Sequence, residues 1–162
     1  MVKKEVLNQL TKRELIELLE RHASHISEAD IPEKKEVESI PISVFDNKEL
    51  SALETICKYL KENTNKTYHE IALLLNRNDR TIWTTYNNSK KKLPEPFVVK
   101  PSDISLPLSI FKERKLSVLE SIAVYLKDEI GLTLHEIASL LNRNDRTIWT
   151  VYTRGRKKNE AS

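Results

Sequence analysis

The nine-residue block Asn-Arg-Asn-Asp-Arg-Thr-Ile-Trp-Thr stands at positions 76–84 and again, unchanged, at 142–150. Its side chains suit recognition better than catalysis. A guanidinium such as that of Arg80 or Arg146 grips guanine O6 and N7 together, and a carboxylate such as that of Asp79 or Asp145 accepts from a cytosine amine. For Asp145, capping a helix is an equally good reading. Trp83 and Trp149 suit two roles equally: packing on sugar or a thymine methyl, or covering the edge of a hydrophobic core. The pairs His69-Glu70 and His135-Glu136 invite a metal reading. A zinc-protease helix needs a second histidine four residues after the first, and Leu73 and Ser139 hold those places. The sequence also carries no glycine-rich phosphate loop, nucleophile elbow or recurrent carboxylate pair. Neither an enzyme nor a metal or cofactor is expected.

The elements that position these residues come in two copies. Residues 40–92 lie over 106–158 without a gap at a shift of 66, and about 30 of the 53 pairs are identical. In the second copy Leu116, Leu119, Ile122, Ala123 and Leu126 form a helical stripe, predicting a helix from Lys112 to about Glu129. Thr133 and Glu136 form a capping box that opens a second helix burying Ile137, Leu140 and Leu141. Asn142-Arg143-Asn144 is a short polar turn. Asn144 or Asp145 then caps a third helix, with Ile148, Val151 and Tyr152 as its inner side. The first copy predicts helices over Leu50–Lys61, Thr67–Leu75 and from Asp79 to about Asn88. A short capped helix, a tight turn and another short helix make a helix-turn-helix. The expected fold is therefore all-α, with two tandem trihelical helix-turn-helix domains over 40–92 and 106–158. Only two glycines in the chain agree with helices joined by short polar turns.

In that motif the third helix enters the major groove, its N-terminal residues meeting base edges. The helical period leaves Asp79, Arg80, Trp83 and Thr84 outward in the first copy, and Asp145, Arg146, Trp149, Thr150 and Thr153 in the second. The turn arginines Arg77 and Arg143 are expected on phosphate. So are Lys90, Lys91 and Lys92, and Arg154, Arg156, Lys157 and Lys158, which set affinity and salt dependence rather than sequence. Charge is local: residues 143–158 hold 6 basic and 1 acidic side chains, whereas 1–39 hold 7 and 9. A solvated basic helix end is the alternative for these clusters, since cations favour a helix C-terminus.

The stretch LTLHEIASLLNRNDRTIWTVYTRGRKK resembles the promoter-reading C-terminal domain of bacterial sigma factors, where T-x-x-E-I-A-x-L-L opens a similar helix pair. Trp149 and Asn142 depart from the usual pattern there, so no base preference carries over. The tandem arrangement, with its R-T-[IV]-W-T-x-Y third helix, more closely resembles small archaeal regulators, including the euryarchaeal archaellum regulator family, over residues 40–158. That resemblance implies a transcription activator of archaellum genes that binds double-stranded DNA upstream of a promoter and helps a basal initiation factor load. The competing expectation is an adaptor that docks on RNA polymerase or an initiation factor through Trp83 and Trp149.

Residues 3–27 read as a helix with apolar Val6, Leu7, Leu10, Leu15, Leu18 and Leu19, interrupted near a second capping box at Thr11 and Glu14. An isolated helix is marginal in water, so self-association or a partner is expected there. Residues 28–39 read as a polar linker. A second linker, 93–105, contains Pro94, Pro96 and Pro101 and reaches about 40 Å when extended. Adjacent recognition helices on one face of B-DNA stand about 34–36 Å apart. Phe97, Val98 and Val99 in this linker are expected to pack on a module. The lone Cys57 rules out an internal disulfide. The absence of a signal-like start or an 18-residue apolar run predicts a cytoplasmic protein without a membrane span.

Overall fold

The computed structural model describes residues 39–162, together with Arg13 and Glu17. The helix expected over 3–27 and the linker over 28–39 thus lie outside the described residues, apart from those two positions and Ser39. Among the described residues the regular structure is six helices and one two-stranded ribbon.

The first copy enters through strand β1 (Ser39–Pro41) and a 3-10 turn (Ile42–Phe45), then forms α1 (Ala52–Glu62), α2 (Tyr68–Leu75) and α3 (Asp79–Lys92). The second repeats the order with β2 (Ser105–Pro107), a 3-10 turn (Leu108–Phe111), α4 (Val118–Val124), α5 (Leu134–Leu140) and α6 (Asp145–Glu160). A π turn over Tyr125–Glu129 continues α4.

Local chemistry explains the helix starts. Ser51 Oγ accepts from the Glu54 amide while the Glu54 carboxylate accepts from the Ser51 amide at 2.8 Å. Ser117 and Glu120 do the same for α4. Each such cap is worth about 1 kcal/mol. These boxes place the starts of α1 and α4 at Ala52 and Val118, later than the Leu50 and Lys112 read from the apolar stripe. Leu50 and Leu116 are buried, but from the preceding loop. The boxes at Thr67–Glu70 and Thr133–Glu136 open α2 and α5 as expected. Asn76 and Asn142 then turn the chain in the left-handed region, at φ of 50° and 51°, which asparagine tolerates better than most residues.

Packing departs from the picture of two self-contained modules on a string. Within each copy the first and second helices pack on the third, but α1 also packs on α4. The turn Leu108–Phe111 lies against α2, and the turn Ile42–Phe45 lies against α5. Each copy thus covers part of the other's second helix. β1 and β2 pair antiparallel, with Ile40 opposite Leu106, and both side chains are fully buried. One hydrophobic cluster results, drawing Ile42, Phe45, Ile56, Ile71 and Ile82 from the first copy and Leu108, Phe111, Ile122, Ile137 and Ile148 from the second. Each such aliphatic side chain contributes about 1.5–3 kcal/mol on burial. Residues 39–162 belong to a single compact unit.

The segment 93–105 folds back along the first copy. Asn63 Nδ2 donates to the Phe97 carbonyl at 3.3 Å, and Ser43 Oγ donates to the Lys100 carbonyl at 2.8 Å. Phe97 is half-buried, with the Lys58 ammonium 5.7 Å from its ring centre. Val98 is 88% exposed and Val99 is exposed too, so of the three apolar side chains expected to pack only Phe97 does.

Candidate nucleic-acid interface

Helices α3 and α6 begin alike. Asn78 Oδ1 accepts from the Thr81 amide, and Asn144 Oδ1 from the Thr147 amide, each at 2.7 Å. The cap is therefore asparagine in both copies. Asp79 and Asp145, one residue on, hold a histidine of the preceding helix instead. His69 Nδ1 lies 3.1 Å from Asp79, and His135 Nδ1 lies 2.9 Å from Asp145. The hydrogen bond and charge of Asp145 raise the His135 pKa above its ordinary value of 6.5. Both histidines thus have a structural partner. Among the described residues no three His, Cys, Asp or Glu side chains gather as metal ligands do.

The buried stripe of α3 is Ile82, Tyr86 and Ser89, and that of α6 is Ile148 and Gly155 with half-buried Tyr152 between them. This i, i+4, i+7 spacing extends the expected inner side: Val151, like Tyr152, is half-buried, and the buried position three residues after Tyr152 is a glycine. A Cβ on Gly155 would meet Val124 Cγ2 at 2.8 Å. Tyr86 Oη donates to Glu62 and Tyr152 Oη to Asp128, anchoring each third helix to the first.

Opposite that stripe, Asp79, Arg80, Trp83 and Thr84 are exposed in α3, and Asp145, Arg146, Trp149, Thr153 and Arg154 in α6; Thr150 is half-buried. Trp83 and Trp149 are 54% and 58% exposed. Neither is enclosed in the core, and each has about half of its surface covered. Thr150 Oγ donates to the Arg146 carbonyl and Thr153 Oγ to that of Trp149, so both hydroxyls face outward chiefly as acceptors. Shallow hollows run beside each helix, one lined by Asn78, Arg80, Thr81, Thr84 and Thr85, the other by Asn144, Arg146, Thr147, Thr150, Val151 and Arg154.

Several expected phosphate ligands have other partners. Lys92 Nζ lies 2.9 Å from Glu54, and Lys158 Nζ lies 2.8 Å from Glu120. Arg156 pairs with Asp128 at 3.1 Å and with Glu160 at 3.3 Å. The cause is the packing of each third helix along the first, whose capping glutamate waits beside its C-terminal end. Burial alone would raise the Glu54 and Glu120 pKa values, but the bonds from lysine and from the serine caps outweigh it and hold both below the ordinary value. Lys90, Lys91, Arg154 and Lys157 remain exposed and make no ion pair among the described residues.

The turn arginines sit at the seam between the copies. Arg143 donates to the Leu50 carbonyl of the other copy at 2.9 Å. Arg77 is half-buried, and its Nε is buried without a hydrogen-bond partner among the described residues. Both line a cleft of about 700 Å³ between the copies, with Lys48, Arg114, Lys115 and Lys158 adding charge and Glu49 opposing it. Lys48, Arg114 and Lys115 were missed in the sequence because they sit in loops outside any recognisable motif. The one signal was that Lys48 and Arg114 are basic at equivalent positions.

The remaining nucleophile, the Cys57 thiol, is buried, and desolvation pushes its pKa up to about 12. No described helix is long and apolar enough to cross a membrane. No family model, curated protein or solved structure matches the chain.

Proposed function

We propose that this chain is a sequence-specific, double-stranded-DNA-binding transcription regulator with two helix-turn-helix readers, α2–α3 and α5–α6. One observation carries the reading: two helices that open with the same six residues, Asp-Arg-Thr-Ile-Trp-Thr, are each anchored at equivalent positions and expose the same arginine and tryptophan. A duplicated bundle without a ligand needs its apolar positions kept, but it has no need of identical outward side chains. Arg80 and Arg146 stand in the first turn, where major-groove readers meet base edges. Exposed Lys90, Lys91, Arg154 and Lys157 supply phosphate contacts. The resemblance to archaeal regulators adds promoter activation, archaellum genes and a cytoplasmic site of action to the proposal.

The decisive variant is Arg80→Ala with Arg146→Ala. Each lost bidentate contact costs about 1–3 kcal/mol, so footprinting on a cognate promoter should vanish while far-ultraviolet circular dichroism stays unchanged. Undiminished protection by the double variant would overturn the base contacts. The exposure of Trp83 and Trp149 favours a second reading, an adaptor that docks on polymerase or an initiation factor. Gel shifts in rising salt separate the two. Affinity falling steeply with salt marks phosphate contacts, and no retardation even at low salt marks the adaptor.

A further inference from the structure

We infer that the element this chain recognises is an inverted repeat, with a single chain reading both halves; the inference rests on the DNA-binding reading above. Its basis is the strand ribbon. Ile40 and Leu106 are equivalent under the 66-residue shift, and they face each other. Ser39 pairs with Pro107 and Pro41 with Ser105, so exchanging the copies maps each pair onto the other. An antiparallel pair centred on equivalent residues is a local two-fold axis. Copies related by translation, as a direct repeat requires, would set equivalent strands parallel. The reciprocal packing of each 3-10 turn on the other copy's second helix obeys the same axis.

The axis also settles which way the readers face. The basic cleft is lined by equivalent pairs, Lys48 with Arg114 and Arg77 with Arg143, so it lies on the axis. Through Arg143 it is continuous with a hollow at Asn144 and Thr147, and these two residues also line the hollow beside Arg146. The N-terminal end of α6 therefore opens on the cleft side. The two-fold brings the N-terminal end of α3, with Asn78 and Arg80, to that side too. Homodimeric helix-turn-helix proteins meet pseudo-palindromes because protein and operator share such an axis. Here one chain carries both halves on one core, so the fold fixes half-site spacing and linker length does not. Residues 78–84 and 144–150 are identical, so the inner base pairs of the two halves should match. Thr85 against Val151, Asn87 against Thr153 and Asn88 against Arg154 predict differing flanks.

Selection of the full chain on random duplexes at low salt, followed by a spacer series on the enriched element, tests this. The expected consensus is two inverted halves at one spacing, bound by one chain as judged by native mass spectrometry. Moving the halves apart by a few base pairs should lower affinity roughly tenfold or more, about the effect of an altered contact base pair. Arg80→Ala and Arg146→Ala, made singly, should each relax the preference in one half alone. A direct repeat, a lone half-site, tolerance of any spacing, or two chains per element would overturn the inverted-repeat inference and leave DNA binding standing. Retention of no duplex would overturn both.

Discussion

The two copies share a surface and differ beneath it. The block at 76–84 and 142–150 is identical, whereas the seam between first and third helices is built from different chemistry. In the first copy, fully buried Lys58 reaches Glu62 at 2.8 Å, Tyr86 bonds the same carboxylate, and Ser89 closes the seam by donating to the Tyr86 carbonyl. In the second, Val124 takes the place of Lys58 and Gly155 that of Ser89, an apolar contact made close by the missing side chain. Cross-copy bonding is uneven as well. Arg143 reaches Leu50, while its twin Arg77 leaves a buried Nε unpartnered among the described residues. A duplicated sequence drifts where several packing solutions serve equally well. Within the block the asparagines, aspartates and isoleucines have structural roles, but Arg80 and Trp83, like Arg146 and Trp149, are exposed and kept although packing does not demand them, and that contrast argues for a ligand common to both copies.

The largest expected effect addresses what the copies share. Ile40→Ala and Leu106→Ala each empty a fully buried position at the centre of the ribbon and should cost about 2–5 kcal/mol. Because one cluster spans both copies, thermal unfolding of residues 39–162 should remain a single transition in either variant. Two separate transitions would break the claim of a common core and restore two independent modules.

The next effect belongs to the first copy alone. Lys58→Ala leaves a mostly buried Glu62 carboxylate without its cation and should cost about 3–5 kcal/mol in urea unfolding. Lys58→Met keeps the volume but not the charge; with Tyr86 still bonded to Glu62 it should cost less than the alanine variant. Equal losses would mean that Lys58 acts through its charge alone, and a methionine variant as stable as the unaltered chain would mean that it acts through packing alone. In the second copy the matching test is Gly155→Ala. Helix propensity alone would favour alanine by about 1 kcal/mol, but overpacking against Val124 costs about 1–3 kcal/mol. A net loss near 1 kcal/mol is expected, and Val124→Ala in the same chain should recover much of it.

How much of this was written legibly in the chain depends on the range of the interaction. The six helices, the polar turns and the outward face of α3 and α6 follow from period, caps and repeat, all local signals. Ser51-x-x-Glu54 and Ser117-x-x-Glu120 were equally local, but they were masked by Leu50 and Leu116, which extend the apolar stripe into the preceding loop. The ribbon was invisible because Ser-Ile-Pro and Ser-Leu-Pro are too short and too rich in proline to read as strands. Their pairing depends on a partner 66 residues away. The fates of Lys92, Arg143, Arg156 and Lys158 were hidden for the same reason: a basic side chain in sequence does not reveal which carboxylate or carbonyl the fold will bring to it.

The smallest effect concerns the clasp between the second and third helices. Asp145 raises the His135 pKa chiefly through their hydrogen bond and then through its charge, with Glu136 adding a little. A histidine whose folded pKa lies above its unfolded value stabilises the fold fully below that unfolded value, and the contribution is lost as pH rises through the folded pKa. The clasp on α6 is therefore firmest below pH 6.5 and loosens as pH rises through the raised pKa. Both partners are well exposed, so solvent screens the pair and its influence on global melting is small. The sharper readout is the imidazole itself. Titration of His135 followed by its ring-carbon NMR shifts should give a midpoint above 6.5, and Asp145→Asn should bring that midpoint down. An unchanged midpoint in Asp145→Asn would mean that the contact seen at 2.9 Å is not populated in solution. The carboxylate would then be free to meet a base edge.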